Sequence, residues 1–294
     1  MPRRLDAFAA AVLLVCCAGW GLNQVAVKVS VTGIPPVLGA GLRSAVAFAL
    51  LLAWCLWRRD VLLRRDGTGG HGLLLGVIFA AEFVLIYGGL AFTTASRSVI
   101  FLYMAPFMVA LGAHFLIPGE RLTTASAAGL GLAFAGLCLA FADALRLPGR
   151  RELIGDLMEA GGAFLWAVTT VLVKKRSDLP MTPRRTLFYQ LSVSAVVLLG
   201  LALLIGERGI SQPTPLVLIS FAYQAVAIAF ASYLTWFWLL ERYPASQLAS
   251  FSFWTPLFGV AAGAVLLRER VTGYLGAAVA LVAAGIYLVN RPSR

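Results

Sequence analysis

The chain has 294 residues, of which 60% are apolar and 13% are charged. Soluble domains average about 45–50% apolar and about 25% charged residues, so a soluble fold of this composition would leave much apolar surface in water. The formal net charge is +11, from 24 Lys and Arg against 13 Asp and Glu. Because these charges occupy short gaps between apolar runs, they indicate membrane orientation and not nucleic-acid binding.

Ten apolar segments have about the 20 residues needed to cross the roughly 30 Å hydrocarbon layer of a bilayer. They are predicted at 6–29, 35–57, 72–93, 97–117, 124–143, 153–174, 185–206, 215–240, 246–267 and 272–290. The gaps between them are short and rich in Gly, Pro and charged residues, as in Pro118–Arg121. No gap is long enough for a separate folded domain, so the function is expected to reside in the helical bundle.

The first apolar run follows Arg3 and Arg4, as in a secretory signal peptide. It continues through Trp20 to Val31 without a small-x-small cleavage site, so a retained helix is expected. With a cytoplasmic N-terminus, fifteen Lys and Arg residues are assigned to the cytoplasmic side and eight to the opposite side. This asymmetry and the even number of spans predict a bacterial inner-membrane protein with both termini in the cytoplasm.

The four cysteines lie inside apolar runs, without a CxxC pair or a histidine cluster: Cys16, Cys17, Cys55 and Cys138. Free cysteine is often a small buried hydrophobic residue, and this is the role expected here. Neither a disulfide, a metal site nor a cofactor is expected.

The two halves of the chain repeat several residues in the same order. At offsets of 146 to 150 residues the matching positions are Trp20 and Trp166, Lys28 and Lys174, Ala95 and Ala245, Pro106 and Pro256, and Glu120–Thr123 and Glu269–Thr272. These matches predict duplication of a five-span unit, with repeats at 1–145 and 146–294. Since five is odd, the second copy must be inverted. Inverted repeats are common in secondary transporters, which hold substrate at the repeat interface near the midplane.

Pro106 and Pro256 each fall about eleven residues into a span. A proline inside a helix removes a backbone hydrogen bond and clashes with the preceding turn. Both positions are compatible with a tolerated kink. Because matched interruptions in two repeats point to a binding site, we favour a hinge or a cavity wall at both.

Trp20-Gly21, Lys28, Arg43, the Pro106 region and Glu120–Thr123 together resemble the EamA-type repeat. That repeat defines many ten-helix members of the drug/metabolite transporter superfamily, and within it the chain most resembles the YddG-type exporters of aromatic amino acids. The second half departs where Arg43 would recur, because Tyr189 and Gln190 stand there. The resemblance implies ten helices around a central cavity, metabolite export, and bending of the third, fourth, eighth and ninth helices.

Arg43 and Glu82 are ionisable residues deep within predicted spans, and such residues usually face the interior of a bundle. They are compatible with a helix-locking ion pair. In a transporter, Arg43 would face a substrate carboxylate and Glu82 an amino group or a proton. His114 is interpreted as a packing residue, and Asp156 and Glu159 as acids that complement a helix dipole.

Aromatic and polar residues supply the remaining candidates for a cavity lining. The residues predicted to line the cavity are Trp20, Arg43, Glu82, Tyr103, Trp166, Tyr233, Ser250 and Trp254, with Pro106 and Pro256 as hinges. Each aromatic ring is also compatible with packing, and Asn23, Gln224 and Ser246 with bonds between helices. Trp54, Trp57 and Tyr287 are predicted interface anchors. Gly72/Gly76 and Gly259/Gly263 are predicted to allow close helix approach.

The sequence therefore predicts an all-α inner-membrane carrier that exports apolar or aromatic amino acids and related metabolites by alternating access. Export of drugs or quaternary amines is the alternative, with Glu82 as the counter-charge. An intramembrane enzyme is a weaker alternative, since the common hydrolase, metalloprotease and nucleotide-binding motifs are absent from the sequence. The expected partners are a small-molecule substrate and the lipid bilayer, with no nucleic acid, and a monomer is compatible with this arrangement.

Overall fold

The computed structural model describes residues 5–63, 66–145, 147–207, 209–268 and 273–291. Within these ranges the regular secondary structure is all helical, and turns and loops connect the helices. The α-helices are α1 Ala7–Ser30, α2 Pro36–Trp57, α3 Gly69–Leu90, α4 Ala95–Leu102, α5 Ala105–Leu116, α6 Thr124–Ala140, α7 Arg150–Lys175, α8 Pro183–Leu204, α9 Pro215–Tyr223, α10 Tyr233–Arg242, α11 Ala245–Phe251, α12 Trp254–Leu267 and α13 Leu275–Asn290. A short 3₁₀ turn occupies Ala142–Ala144, and a π-helical segment, Gln224–Ser232, joins α9 to α10.

These helices coincide with all ten predicted spans. Among the described residues, eight helical segments are long and apolar enough to cross a membrane, counting α4 with α5, α9 with α10, and α11 with α12 as single segments. The other two, α6 and α13, are apolar but have 17 and 16 residues. The chain is therefore a multi-pass, all-helical membrane protein. Residues Glu269–Thr272, which complete the predicted repeat motif, and the termini that bear Arg3, Arg4 and Arg294 lie outside the described residues.

Local sequence sets where several helices begin. The threonine side chains before α4, α6, α8 and α9 accept a hydrogen bond from the third residue of the helix, as N-cap threonines do. Proline opens α2, α8 and α9, where its missing N–H would have no intrahelical partner. A threonine cap marks the start of α4 and α6, proline marks that of α2, and both signals coincide at α8 and α9.

Two spans are broken immediately before their prolines. The fourth span stops at Leu102 and resumes at Ala105, one residue before Pro106. The ninth stops at Phe251 and resumes at Trp254, two residues before Pro256. Both prolines are buried and occupy the first turn of the second half-helix, where a proline does not need an N–H partner. The predicted interruption of these helices is confirmed.

Helices from the two halves pack against one another throughout the bundle. The main contacts join α6 with α13, α2 with α8, α3 with α7 and α8, α1 with α12, and α5 with α7. Small residues permit these contacts: Gly129 of α6 meets the backbone of Gly285, and Gly76 of α3 meets that of Tyr189. Gly259 likewise lies against Gln24 of α1, as predicted for small-residue pairs in membrane helices.

Candidate functional site

Arg43 of α2 and Glu82 of α3 lie buried and within electrostatic reach of each other, with exposed fractions of 3% and 7%. The Nε and Nη2 atoms of Arg43 form no hydrogen bond with any described residue, and neither does Oε2 of Glu82. A buried polar atom without a partner costs free energy, so these atoms are the candidates for contact with a polar ligand.

Aromatic rings surround this charged pair. The guanidinium carbon of Arg43 lies 4.6 Å from the ring centroid of Phe83, within cation–π range. Phe79 packs edge-to-face on Phe83 at 4.9 Å and on Tyr233 at 6.0 Å, measured between ring centroids. Tyr233 also lies within electrostatic reach of Arg43 and Glu82. The arrangement joins a basic and an acidic side chain to an apolar, aromatic wall.

The predicted tryptophans of the two halves meet on a third one. The Trp236 ring centroid lies 5.8 Å from that of Trp20 and 5.9 Å from that of Trp166. Nε1 of Trp20 donates to Oγ of Ser232 at 2.8 Å, at the end of the π-helical segment. The structure therefore brings Trp20 and Trp166 together through Trp236, which the sequence had placed only among the deeper aromatics.

A further cluster lies at the two helix breaks. Tyr103, in the break of the fourth span, and Cys17 of α1 are both adjacent to Thr255, which precedes Pro256. Tyr103 is also within electrostatic reach of Tyr233. Trp254, which begins α12, packs its ring on Phe258 at 5.9 Å between centroids. Both broken helices thus contribute side chains next to the central aromatic residues.

Several polar residues considered as substrate contacts form hydrogen bonds within the bundle. Oγ of Ser250 donates to the Gln247 carbonyl oxygen at 2.7 Å and lies 3.4 Å from Nδ2 of Asn290. Nε2 of Gln224 donates to Oγ of Ser30 at 2.8 Å, and Ser246 bonds to Glu120. These bonds link neighbouring helices, the second of the two roles expected for such residues.

His114 and the cysteines have the packing roles expected for them. Nδ1 of His114 accepts the Leu122 N–H at 3.2 Å, which confirms a structural role. Cys16, Cys17 and Cys55 are buried, and Cys138 is half-buried. Gln190, one of the residues at the counterpart of Arg43, is 1% exposed, and its side-chain nitrogen and oxygen bond to no described residue.

The helix-dipole interpretation of Asp156 was incomplete. Asp156 of α7 forms a buried ion pair with Arg97 of α4, with Nε lying 3.2 Å from both carboxylate oxygens. Oγ1 of Thr93 donates to Asp156 at 2.7 Å. Glu159, one turn further along, is fully buried beside Ser98. The acids join the fourth and sixth spans, a contact that no sequence pattern marks.

A second ion pair, which the sequence did not predict, lies at the opposite end of the spans from Arg97 and Asp156. Arg185 of α8 donates from Nη1 to Oδ2 of Asp66 at 2.7 Å and from Nη2 to Oγ1 of Thr68 at 2.7 Å. The Arg185 guanidinium, with help from the Thr68 hydroxyl, holds the pKa of the Asp66 carboxyl well below its ordinary value. The pair ties the loop before α3 to the start of α8.

Comparison with known proteins agrees with this architecture. The profile of the EamA-like transporter family matches the chain twice, at residues 7–142 and 153–291. A probable amino-acid metabolite efflux pump of Salmonella typhimurium is 31% identical, over 97% of this chain and 94% of that protein. The Escherichia coli protein of the same description is 30% identical, over 98% of this chain and 95% of its own.

One solved crystal structure superposes on the chain with a TM-score of 0.81 and covers 96% of both chains. Its sequence identity is 19%, so this likeness concerns the fold alone. The same helical fold thus exists in a protein whose sequence has diverged widely.

Proposed function

Because the chain belongs to the EamA-like transporter family, we propose that it exports apolar or aromatic amino acids and related small metabolites across the bacterial inner membrane. The relatives described as probable amino-acid metabolite efflux pumps support amino acids as the substrate class. The YddG-type resemblance supports the preference for aromatic side chains.

The observation that carries this proposal is the buried Arg43–Glu82 pair with its unpartnered polar atoms. Arg43 offers N–H groups to a substrate carboxylate, and charge-assisted hydrogen bonds of this kind are among the stronger ones in proteins. Glu82 offers an oxygen to the substrate ammonium group. An amino acid zwitterion satisfies both partners at once and adds no net charge to the membrane interior.

The surrounding rings supply the specificity for the side chain. Phe79, Phe83 and Tyr233 lie beside the charged pair, and Tyr103 connects Tyr233 to the helix breaks. Burial of an aromatic side chain among such rings is favourable through removal of apolar surface from water and through edge-to-face contact. Trp20, Trp166 and Trp254 are proposed as the remaining walls, and Ser250 as a residue that supports the wall from behind.

Export of a quaternary amine is the alternative within the same superfamily. A cation carrier needs a membrane carboxylate without a compensating charge. Arg43 stands within electrostatic reach of Glu82 and competes with a cationic substrate for it. The charge balance therefore favours the zwitterion.

We propose that transport proceeds by alternating access between two inverted five-helix repeats, 1–145 and 146–294. The packing supports this arrangement. The first span contacts the ninth, through α1 and α12, and the sixth span contacts the fourth, through α7 with α4 and α5. These two contacts join corresponding spans of the two repeats. Pro106 and Pro256, next to the breaks in the fourth and ninth spans, are the proposed hinges, about which the half-helices would bend together with the third and eighth spans. Both termini would then lie in the cytoplasm.

The test is counterflow of labelled phenylalanine, threonine and tetraethylammonium in proteoliposomes. The wild type should exchange phenylalanine faster than threonine and leave tetraethylammonium behind. Arg43→Gln and Glu82→Gln should each lower phenylalanine exchange by about tenfold or more, because each removes a charge-assisted hydrogen bond worth roughly 1.5–3 kcal/mol.

Arg176→Gln is the matched control, since Arg176 is an exposed arginine paired with Asp178 outside the spans. It should transport at the wild-type rate, and melting curves should establish that all variants are folded. Exchange of tetraethylammonium in preference to amino acids would replace the proposal with the alternative. Unaltered rates in both charge variants would remove Arg43 and Glu82 from the site.

A further inference from the structure

A groove lies between α2, α8 and α10. It has a volume of about 520 Å³, within the range of small-molecule sites. Its walls come from the last turn of α2, the start of α8 and the length of α10 from Leu234 to Arg242. Both of its arginines, Arg184 and Arg242, lie at helix ends, so the polar end of the groove lies at the level where the hydrocarbon layer meets the headgroups of the lipids.

Two arginines of the groove each lie over a tryptophan. The guanidinium carbon of Arg184 is 5.9 Å from the ring centroid of Trp54, and that of Arg242 is 4.5 Å from the ring centroid of Trp238. Tryptophan is enriched at the membrane–water interface, where its ring spans apolar and polar layers. Stacking holds the two cations beside the groove while their side chains remain 34% and 42% exposed.

The nearby acidic residues leave some hydrogen-bond donors of both arginines without a partner among the described residues. Nε of Arg184 pairs with Asp60 at 3.0 Å, and no hydrogen bond from Arg184 to another described residue accompanies this ion pair. Arg242 uses Nη1 for both Glu241 and the Trp238 carbonyl oxygen, whereas its Nε and Nη2 bond to no described residue. The exposed Arg58 and Arg59 follow α2 and add positive charge, so this end of the bundle favours an anion.

Bulky side chains border the groove. On the other side of α8, Gly72 and Gly76 let α3 approach Tyr189 and Val193 closely. Toward the groove, α10 instead presents Leu234, Trp238, Glu241 and Arg242, which share one helix face.

We propose that this groove binds the headgroup of an anionic phospholipid. Arg184 and Arg242 would donate to the phosphate oxygens, and the rings of Trp54 and Trp238 would border the glycerol region. Leu50 and Val46 lie one and two turns from Trp54 along α2, are 36% and 38% exposed, and offer an apolar track for an acyl chain. Neither Arg43 nor Glu82 lines this groove.

The test is native mass spectrometry of the purified full chain in detergent, titrated with phosphatidylglycerol, with phosphatidylcholine of the same acyl chains, and with inorganic phosphate. The wild type should bind phosphatidylglycerol at least about tenfold more tightly than phosphatidylcholine. The double variant Arg184→Gln/Arg242→Gln should lose this preference. Arg184→Lys/Arg242→Lys should keep part of it, because lysine retains the charge but lacks the planar fork.

Arg176→Gln again serves as the control, since it removes an exposed arginine at the same end of the spans but outside the groove, and its preference should equal that of the wild type. Equal binding of the two lipids by the wild type would overturn the proposal, and so would a preference that survives in the glutamine variant. Displacement of phosphatidylglycerol by inorganic phosphate at equal concentration would assign the site to a free anion and not to a lipid. None of these outcomes depends on transport.

Discussion

Oε1 of Glu120 accepts a hydrogen bond from the backbone N–H of Ala245 at 2.9 Å. This bond links the end of the fourth span to the start of the ninth. The other carboxylate oxygen, Oε2, accepts the N–H of Ser246 at 3.2 Å and its Oγ–H at 3.1 Å. From the loop between α5 and α6, Glu120 thus acts as an N-cap for α11, and its carboxylate lies at the positive end of the α11 dipole. The contact links the two broken spans at this end of the bundle.

Glu120→Ala should loosen this end of the bundle. Loss of a cap typically costs about 0.5–2 kcal/mol, so the melting temperature should fall, and the population open at this end should rise. We expect a maleimide reagent to label an introduced Gln247→Cys several times faster in the Glu120→Ala background. Glu120→Gln is the matched control, because it keeps an acceptor oxygen and should give an intermediate rate. Equal labelling in all three backgrounds would contradict a closing role for Glu120.

The Arg97–Asp156 pair should be among the most sensitive ionic contacts in the chain. Asp156→Asn leaves a buried guanidinium without its carboxylate, a change that typically costs about 3–5 kcal/mol. The free energy of unfolding should fall accordingly in a denaturant titration, whereas Asp178→Asn, in an exposed pair, should cost at most about 1 kcal/mol.

The double variant Arg97→Gln/Asp156→Asn separates the ion pair from the two individual side chains. If the pair itself carries the effect, the double variant should be more stable than Asp156→Asn, because neither partner then remains as an uncompensated buried charge. An Asp156→Asn cost no larger than that of Asp178→Asn would show that the buried contact contributes little.

The spans and the helix breaks could be predicted from sequence because their signals are local. Apolar length marks each span, and Pro106 and Pro256 mark the breaks within two residues. The predicted burial of Cys17 and the structural role of His114 follow from the same local reasoning.

The contacts between spans could not be predicted in this way. The Arg97–Asp156 and Arg185–Asp66 pairs join helices whose rotation about their own axes no one-dimensional pattern specifies. The π-helical segment Gln224–Ser232 contains no proline or glycine, so nothing in its sequence distinguishes it from an ordinary helix. The meeting of Trp20 and Trp166 on Trp236 likewise depends on tertiary packing.

Two glycines of α6 should respond differently to the same substitution. A Cβ at Gly129 would lie 2.6 Å from the Gly285 carbonyl oxygen, whereas a Cβ at Gly131 would have no heavy atom within 4 Å. Gly129→Ala should therefore force α6 and α13 apart and cost about 1–3 kcal/mol. Gly131→Ala should be neutral or stabilise the helix by up to about 1 kcal/mol. Melting curves check both, and equal shifts would argue against close packing at Gly129.

The Asp66–Arg185 pair should make the stability of the protein depend on pH in acid. Because Arg185 lowers the pKa of Asp66 in the folded state, the folded protein binds fewer protons at this group than the unfolded chain does. The contribution is therefore fully present above the unfolded pKa, about 3.9, and is lost as the pH falls through the lowered value. Asp66→Asn should melt below the wild type at pH 7, and the gap should begin to narrow only as the pH falls below about 4. Asp178→Asn provides the control, and a constant gap between wild type and Asp66→Asn over the whole pH range would mean that the Asp66 charge is not the stabilising element.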